Sequence, residues 1–210
     1  MRFSKEFKEA ISHLTDKEKD KLILRLLKKD LKLANRLEFE LLSESSVEDK
    51  REEVKNRILQ KAAKTADYFH SVGYLNMDVR ELSGLISEHV FTTKDKFGEV
   101  YLNLIMINEI LSANHQSLSD SNTNTSARKF YTAVIARAFK ILILISKLHE
   151  DFYVELEDEL KRFGNLIADN HKLMKTAIFN GLDVNWLLKF EIPEDIAEYH
   201  KDLRQRGYLR

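Results

Sequence analysis

Residues 127–148 read ARKFYTAVIARAFKILILISKL, the most apolar long segment of the chain. At 100° per residue, Lys129, Ala133, Ala136, Lys140 and Lys147 share one narrow strip. Phe130, Tyr131, Val134, Ile135, Ala138, Phe139, Ile141, Leu142, Ile145 and Leu148 cover the opposite side. The run from Ile141 to Ile145 taken alone fits a buried strand. No Gly, Pro or Asn interrupts the whole segment, however, and its length selects a helix. A helix apolar over most of its surface has to be packed by several neighbours. It is no membrane span, which needs about 20 apolar residues in succession.

The rest of the pattern is helical as well. A short helix is predicted over residues 5–13. Thr15 and Glu18 have capping-box spacing and open a helix to about residue 42, with Leu22, Ile23, Leu26, Leu27, Leu31, Leu33, Ala34 and Leu37 on its apolar face. Ser45 or Ser46 starts a third helix, striped by Val47, Val54, Ile58, Ala62, Ala66, Phe69 and Val72, with Gly73 as its left-handed stop. Further helices are expected from Asn76 or Asp78, and from Thr92 or Thr93. The second of these carries VYLNLIMINEIL and belongs beside the central helix. Residues 117–126, SLSDSNTNTS, read as an exposed loop joining two buried helices. Beyond the central segment, a helix over 151–163 ends or kinks at Gly164. The pattern resumes over 165–180 and stops at Gly181. Asp183 caps a short turn holding the only Trp, and Pro193 opens a last helix.

The expected fold is therefore all-α: an irregular multi-helix bundle, or stacked helical hairpins, of seven to nine helices around the segment near 127–148. Residues 1–210 read as a single helical domain, with 1–43 as a candidate N-terminal helical appendage. One proline and six glycines among 210 residues support this, because β-rich folds need many turns. The absence of cysteine excludes a disulfide, a thiolate zinc site and a cysteine nucleophile, and it suits a cytoplasmic protein. The formal net charge is zero, so no global field draws the chain to nucleic acid or anionic lipid. No phosphate-cradling glycine loop, nucleophile elbow or helical His-x-x-x-His pair is present.

Four features could carry function. The spacing of Asp67 and His70 puts a carboxylate and an imidazole on one helix face. Other candidate histidines among the seven, in Glu88-His89, His115, His149-Glu150-Asp151 and Asp169-Asn170-His171, mostly fall at expected helix ends, where solvation explains them. Glu109 lies in a nearly all-apolar stretch. It is expected to reach solvent together with Asn108 as the helix emerges; otherwise it is paired, protonated or in a pocket. Lys17, Lys21, Arg25, Lys28, Lys32 and Arg36 recur at helical spacing within one arc of the helix opened at Thr15. Glu150, Asp151, Glu155, Glu157, Asp158 and Glu159 form an acidic complement to that stripe.

Residues 14–42, LTDKEKDKLILRLLKKDLKLANRLEFELL, resemble the opening of some uncharacterised bacterial helical proteins, with Leu, Glu-Lys, Leu-Ile, Leu-Leu-Lys and a later Leu-x-Phe-x-Leu. The resemblance implies no activity and no site. The expectation is a non-enzymatic protein–protein interaction module that self-associates as a homodimer, with no cofactor. The alternative is nucleic-acid or polyanion binding through the basic stripe. A third class is a metal-dependent helical-bundle enzyme using Asp67, His70 and Glu109.

Overall fold

A computed structural model describes residues 3–210 and contains twelve α-helices, one 3-10 turn and no strand among them. The fold is all-α, with more and shorter helices than the pattern predicts. The chain divides into two compact units, Met1–Glu44 with Phe91–Thr93, and Ser45–Val90 with Lys94–Arg210.

The first unit contains α1 (Lys5–Ser12), α2 (Asp16–Leu27) and α3 (Leu31–Leu42). The Thr15–Glu18 capping box is formed, with the Thr15 N–H donating to Glu18 Oε2 at 2.9 Å. The single helix expected to run from there to residue 42 is broken at Asp30. That side chain caps α3 by accepting the Leu33 N–H at 3.1 Å. Asp competes poorly inside a helix and well at its start, which explains the break. No residue of these three helices is buried.

The second unit begins with α4 (Val47–Asp67), capped by a Ser46–Asp49 box. Its inward face is Val54, Ile58, Ala62 and Thr65, whereas Ala66, expected inside, is exposed. Gly73 is not a helix stop. Ser71 caps α5 (Val72–Thr93), which starts four residues earlier than Asn76 and places Gly73 in its first turn. The next helix starts at neither Thr92 nor Thr93. Lys94 takes the left-handed conformation, φ 60°, and Asp95 caps α6 (Lys96–Ala113).

Residues 117–126 are not a free loop. α7 (His115–Asp120) occupies its first part and buries Leu118, and Asn124 already caps α8 (Thr125–Ile145). Lys172 Nζ donates to the carbonyls of Leu118 at 3.0 Å, of Ser119 at 2.9 Å and of Ser121. These bonds order a stretch whose composition alone looks like a linker.

After a 3-10 turn at Glu150–Phe152 come α9 (Tyr153–Ala168), α10 (His171–Phe179), α11 (Asn185–Leu188) and α12 (Ile196–Gln205). Gly164 neither ends nor kinks α9. A Cβ there would lie 2.8 Å from Leu188 Cδ2, so the glycine lets α11 approach. Gly181 does end α10, with φ 74° and its carbonyl accepting Tyr199 Oη–H at 2.9 Å.

Two helices occupy the centre of this unit. α6 packs against α4, α8 and α9, and α8 packs against α6, α10 and α12. The face of α8 read from its periodicity is the buried one, including Phe130, Tyr131, Ile135, Phe139, Leu142 and Ile145. Leu142→Ala is expected to cost about 2–5 kcal/mol as a large-to-small core change. Lys140 is exposed and pairs with Glu99 at 2.8 Å, so Lys140→Ala should cost no more than about 1 kcal/mol. Urea titrations giving equal losses at the two sites would refute this orientation of α8.

Candidate functional site

The tightest cluster of titratable groups surrounds Asp95. Its carboxylate accepts Arg51 Nε–H at 2.6 Å and Nη2–H at 3.1 Å, and the Gly98 N–H at 2.8 Å; His89 Nε2 lies 3.1 Å away. A Cβ on Gly98 would overlap this carboxylate. Burial opposes the charge, but the bonds from His89, Arg51 and Gly98 and the Arg51 cation win, holding the carboxyl at about 2, below the usual 3.8. An Asp–His pair invites a catalytic reading. Here both side chains are enclosed, 4% and 2% exposed, and Asp95 is committed to capping α6 and clamping α4. The cluster is structural. The sequence pattern points to Thr92 or Thr93 as the start of this helix and does not single out Asp95. It gave no sign of Arg51, which is 44 positions away. His89, expected to be solvated at a helix end, is buried inside α5 because Asp95 lies against it.

Other polar groups in the core are also in structural service. The Arg137 guanidinium donates to Asn103 Oδ1 and, at 2.7 Å, to Ser83 Oγ, joining α8 to α6 and α5. Burial alone pulls it down to about 10, so it stays cationic at neutral pH. Asn108, expected to reach solvent, is fully buried and donates to the Glu159 carbonyl at 2.9 Å and to Glu159 Oε2 at 2.7 Å. Glu109 is half-buried and paired with Arg162 at 2.7 Å, and the same guanidinium reaches Ser112 Oγ at 3.1 Å.

Two of the three candidate metal ligands have other partners, and Asp67 is exposed at the end of α4. α4 ends at Asp67, so His70 lies in the following loop and not on the helix face that its spacing suggested. His70 is exposed and meets the Tyr74 ring at 5.6 Å, while Glu109 is engaged by Arg162. Among the described residues, no three His, Asp or Glu side chains gather in a metal-holding group.

The basic stripe is divided by the break at Asp30. Lys17, Lys21 and Arg25 lie on α2 and Lys28 ends it, whereas Lys32 and Arg36 belong to α3. The continuous arc expected of one helix is therefore not formed. Arg36 pairs with Glu40 at 2.6 Å. Lys17, Lys21, Arg25, Lys28 and Lys32 are exposed and in no ion pair within 4 Å among the described residues. Around them, Phe3, Phe7, Ile11, Ile23, Leu24 and Leu26 are exposed to between 38 and 59%, and Leu31, Leu41 and Leu42 to 72% or more. The acidic set splits too. Glu159 is drawn inward by Asn108 and lies 3.6 Å from Arg162, and Asp151 pairs with His149 at 3.1 Å. Glu150, Glu155, Glu157 and Asp158 are exposed and carry no ion pair among the described residues.

Sequence reasoning missed one cavity, of about 620 Å³, between α8, α10 and the C-terminal residues 207–210. Arg128, Lys172, Lys175 and Arg210 line it, with no Asp or Glu side chain. Its cations come from three places in the chain, too far apart to read as a run.

Comparisons with protein-family models, with curated proteins and with solved structures found no match to this chain.

The Asp95 cluster predicts an acid-sensitive contribution to stability. Because the folded group is held below its unfolded value, the contribution is complete above about pH 5. It is lost as the pH falls through 4 towards 2, and amounts to about 2 kcal/mol. Asp95→Asn should lower stability by up to about 3–5 kcal/mol at neutral pH, since it leaves the largely buried Arg51 guanidinium with only the exposed Glu48 carboxylate, 3.6 Å away, as counter-charge. It should also flatten the acid limb of a stability–pH profile measured by urea denaturation.

Proposed function

We propose that the chain is a non-enzymatic interaction module that self-associates through its first 44 residues, in a cytoplasmic setting that a cysteine-free chain tolerates. The observation that supports this reading is the state of α1–α3. Three amphipathic helices bury no residue, and with Phe3 just before them they leave nine large apolar side chains exposed, from Phe3 to Leu42. A unit this short is below the size at which a chain ordinarily stabilises itself, even when it has a core. Exposed apolar side chains on this scale mark an interaction surface. A second copy is the occupant favoured by charge. The unpaired cations Lys17, Lys21, Arg25, Lys28 and Lys32 complement the unpaired acids Glu150, Glu155, Glu157 and Asp158, and the chain as a whole is neutral.

Light scattering is expected to find a dimer. The helical signal contributed by residues 5–42 should fall on dilution, because folding and association are then linked. Lys21→Glu, Arg25→Glu and Lys28→Glu together should shift the protein to monomer. Adding Glu155→Lys, Glu157→Lys and Asp158→Lys should restore the dimer, which binding of a polyanion to the basic residues would not do. A chain that remains monomeric and fully helical at all concentrations refutes self-association. Salt-dependent heparin or DNA binding that is lost in the triple variant, with oligomeric state unchanged, would assign the cations to nucleic acid instead.

A further inference from the structure

We propose that the cavity between α8 and α10 binds a phosphomonoester carried on a small organic body. The inference rests on the second unit alone and is independent of how α1–α3 are used. Two helix faces line the cavity. On α8, Arg128, Tyr131 and Thr132 fall at helical spacing. On α10, Lys172, Lys175, Thr176 and Phe179 do the same. Residues 207–210 close a third side, tied down by the Leu209 N–H donating to Asn180 Oδ1 at 2.8 Å. The volume falls within the range of small-molecule sites, which is about 300–1,000 Å³, and is too small for a folded partner.

The charge of the lining selects the ligand. Four cationic side chains share one concavity, and no carboxylate side chain is present to neutralise them. Arg128 and Lys175 are exposed and in no ion pair among the described residues, so their donors are available. The Lys172 ammonium is satisfied by three carbonyl oxygens, which hold it in place without cancelling its charge. Like charges held together in one concavity repel, and an anion that enters relieves the repulsion. A carboxylate brings one charge. A phosphomonoester brings close to two, with three acceptor oxygens suited to an arginine fork and a lysine. The hydroxyls of Thr123 and Thr132 add neutral donors. The organic body has its own wall, since Phe179 is 71% exposed and meets Tyr208 edge-to-face with ring centroids 5.8 Å apart. An aromatic pair beside a cationic end suits an amphipathic ligand.

Titration calorimetry on the full chain tests this with phenyl phosphate, inorganic phosphate and benzoate. Vesicles with and without phosphatidic acid present the same phosphomonoester on a lipid. Phenyl phosphate should bind one to one, more weakly as salt is added, and at least about tenfold more tightly than benzoate. Arg128→Ala with Lys175→Ala should weaken it by about tenfold or more. Melting without ligand should be unchanged, because both side chains are exposed. Phe179→Ser should weaken phenyl phosphate but not inorganic phosphate. Binding of the soluble probe assigns the site to a free organic phosphate, and binding confined to phosphatidic acid vesicles assigns it to a lipid headgroup, provided the double variant abolishes either. The proposal is overturned if no phosphate probe binds, if benzoate binds as tightly, or if the double variant binds like the wild type.

Discussion

The buried carboxylate of Asp95 is the interaction on which the arrangement of the second unit depends. α6 is apolar nearly all round, so hydrophobic burial alone leaves its rotation and its starting point weakly specified. A single charged cap removes that freedom. By accepting the Gly98 N–H it fixes where α6 begins, and by holding Arg51 it fixes where α4 lies against it. The same group faces His89 near the end of α5, so three helices meet at one ion. Such a pair contributes more through the cost of leaving a partner uncompensated than through net attraction.

The remaining polar groups of the core extend this logic along α6. Asn103 receives Arg137 from α8, Asn108 donates to Glu159 on α9, and Asn114, the residue that caps the end of α6, donates to Thr65 on α4 at 2.7 Å. Each of the three helices that pack on α6 is therefore also hydrogen-bonded to it by a named side chain. Burial drives the helices together, and these bonds discriminate among the ways they could pack.

The class of fold was legible because helical periodicity is a local signal. The buried face of α8, the Thr15 and Ser46 caps and the Gly181 stop all follow from residues within a few positions of one another. The helix starts at Ser71, Asp95 and Asn124 were harder, since neighbouring Ser, Thr, Asn and Asp residues compete as caps and tertiary contact decides among them. The order around residues 115–121 was illegible, because it comes from Lys172, more than 50 positions away. The same limit hid the cavity. Arg128, Lys175 and Arg210 belong to no motif, and only the packing of α8 against α10 brings them together. By contrast, the stripe from Lys17 to Arg36 was readable as a pattern yet presupposed one straight helix, and Asp30 breaks it.

The carbonyl cage around Lys172 bears on how this chain tolerates change in length. A single ammonium on α10 binds carbonyls at Leu118, Ser119 and Ser121, so that stretch moves as one body with α10. Asn124 is fixed in turn by capping α8. Only Asn122, whose carbonyl accepts the Asn124 N–H at 3.0 Å, and Thr123 at the cavity rim lie between the two anchors. An insertion there lengthens an exposed turn at small entropic cost to the fold, at the expense of the position of Thr123. One placed a few residues earlier would pull the carbonyls out of register and leave a half-buried cation without its oxygen shell.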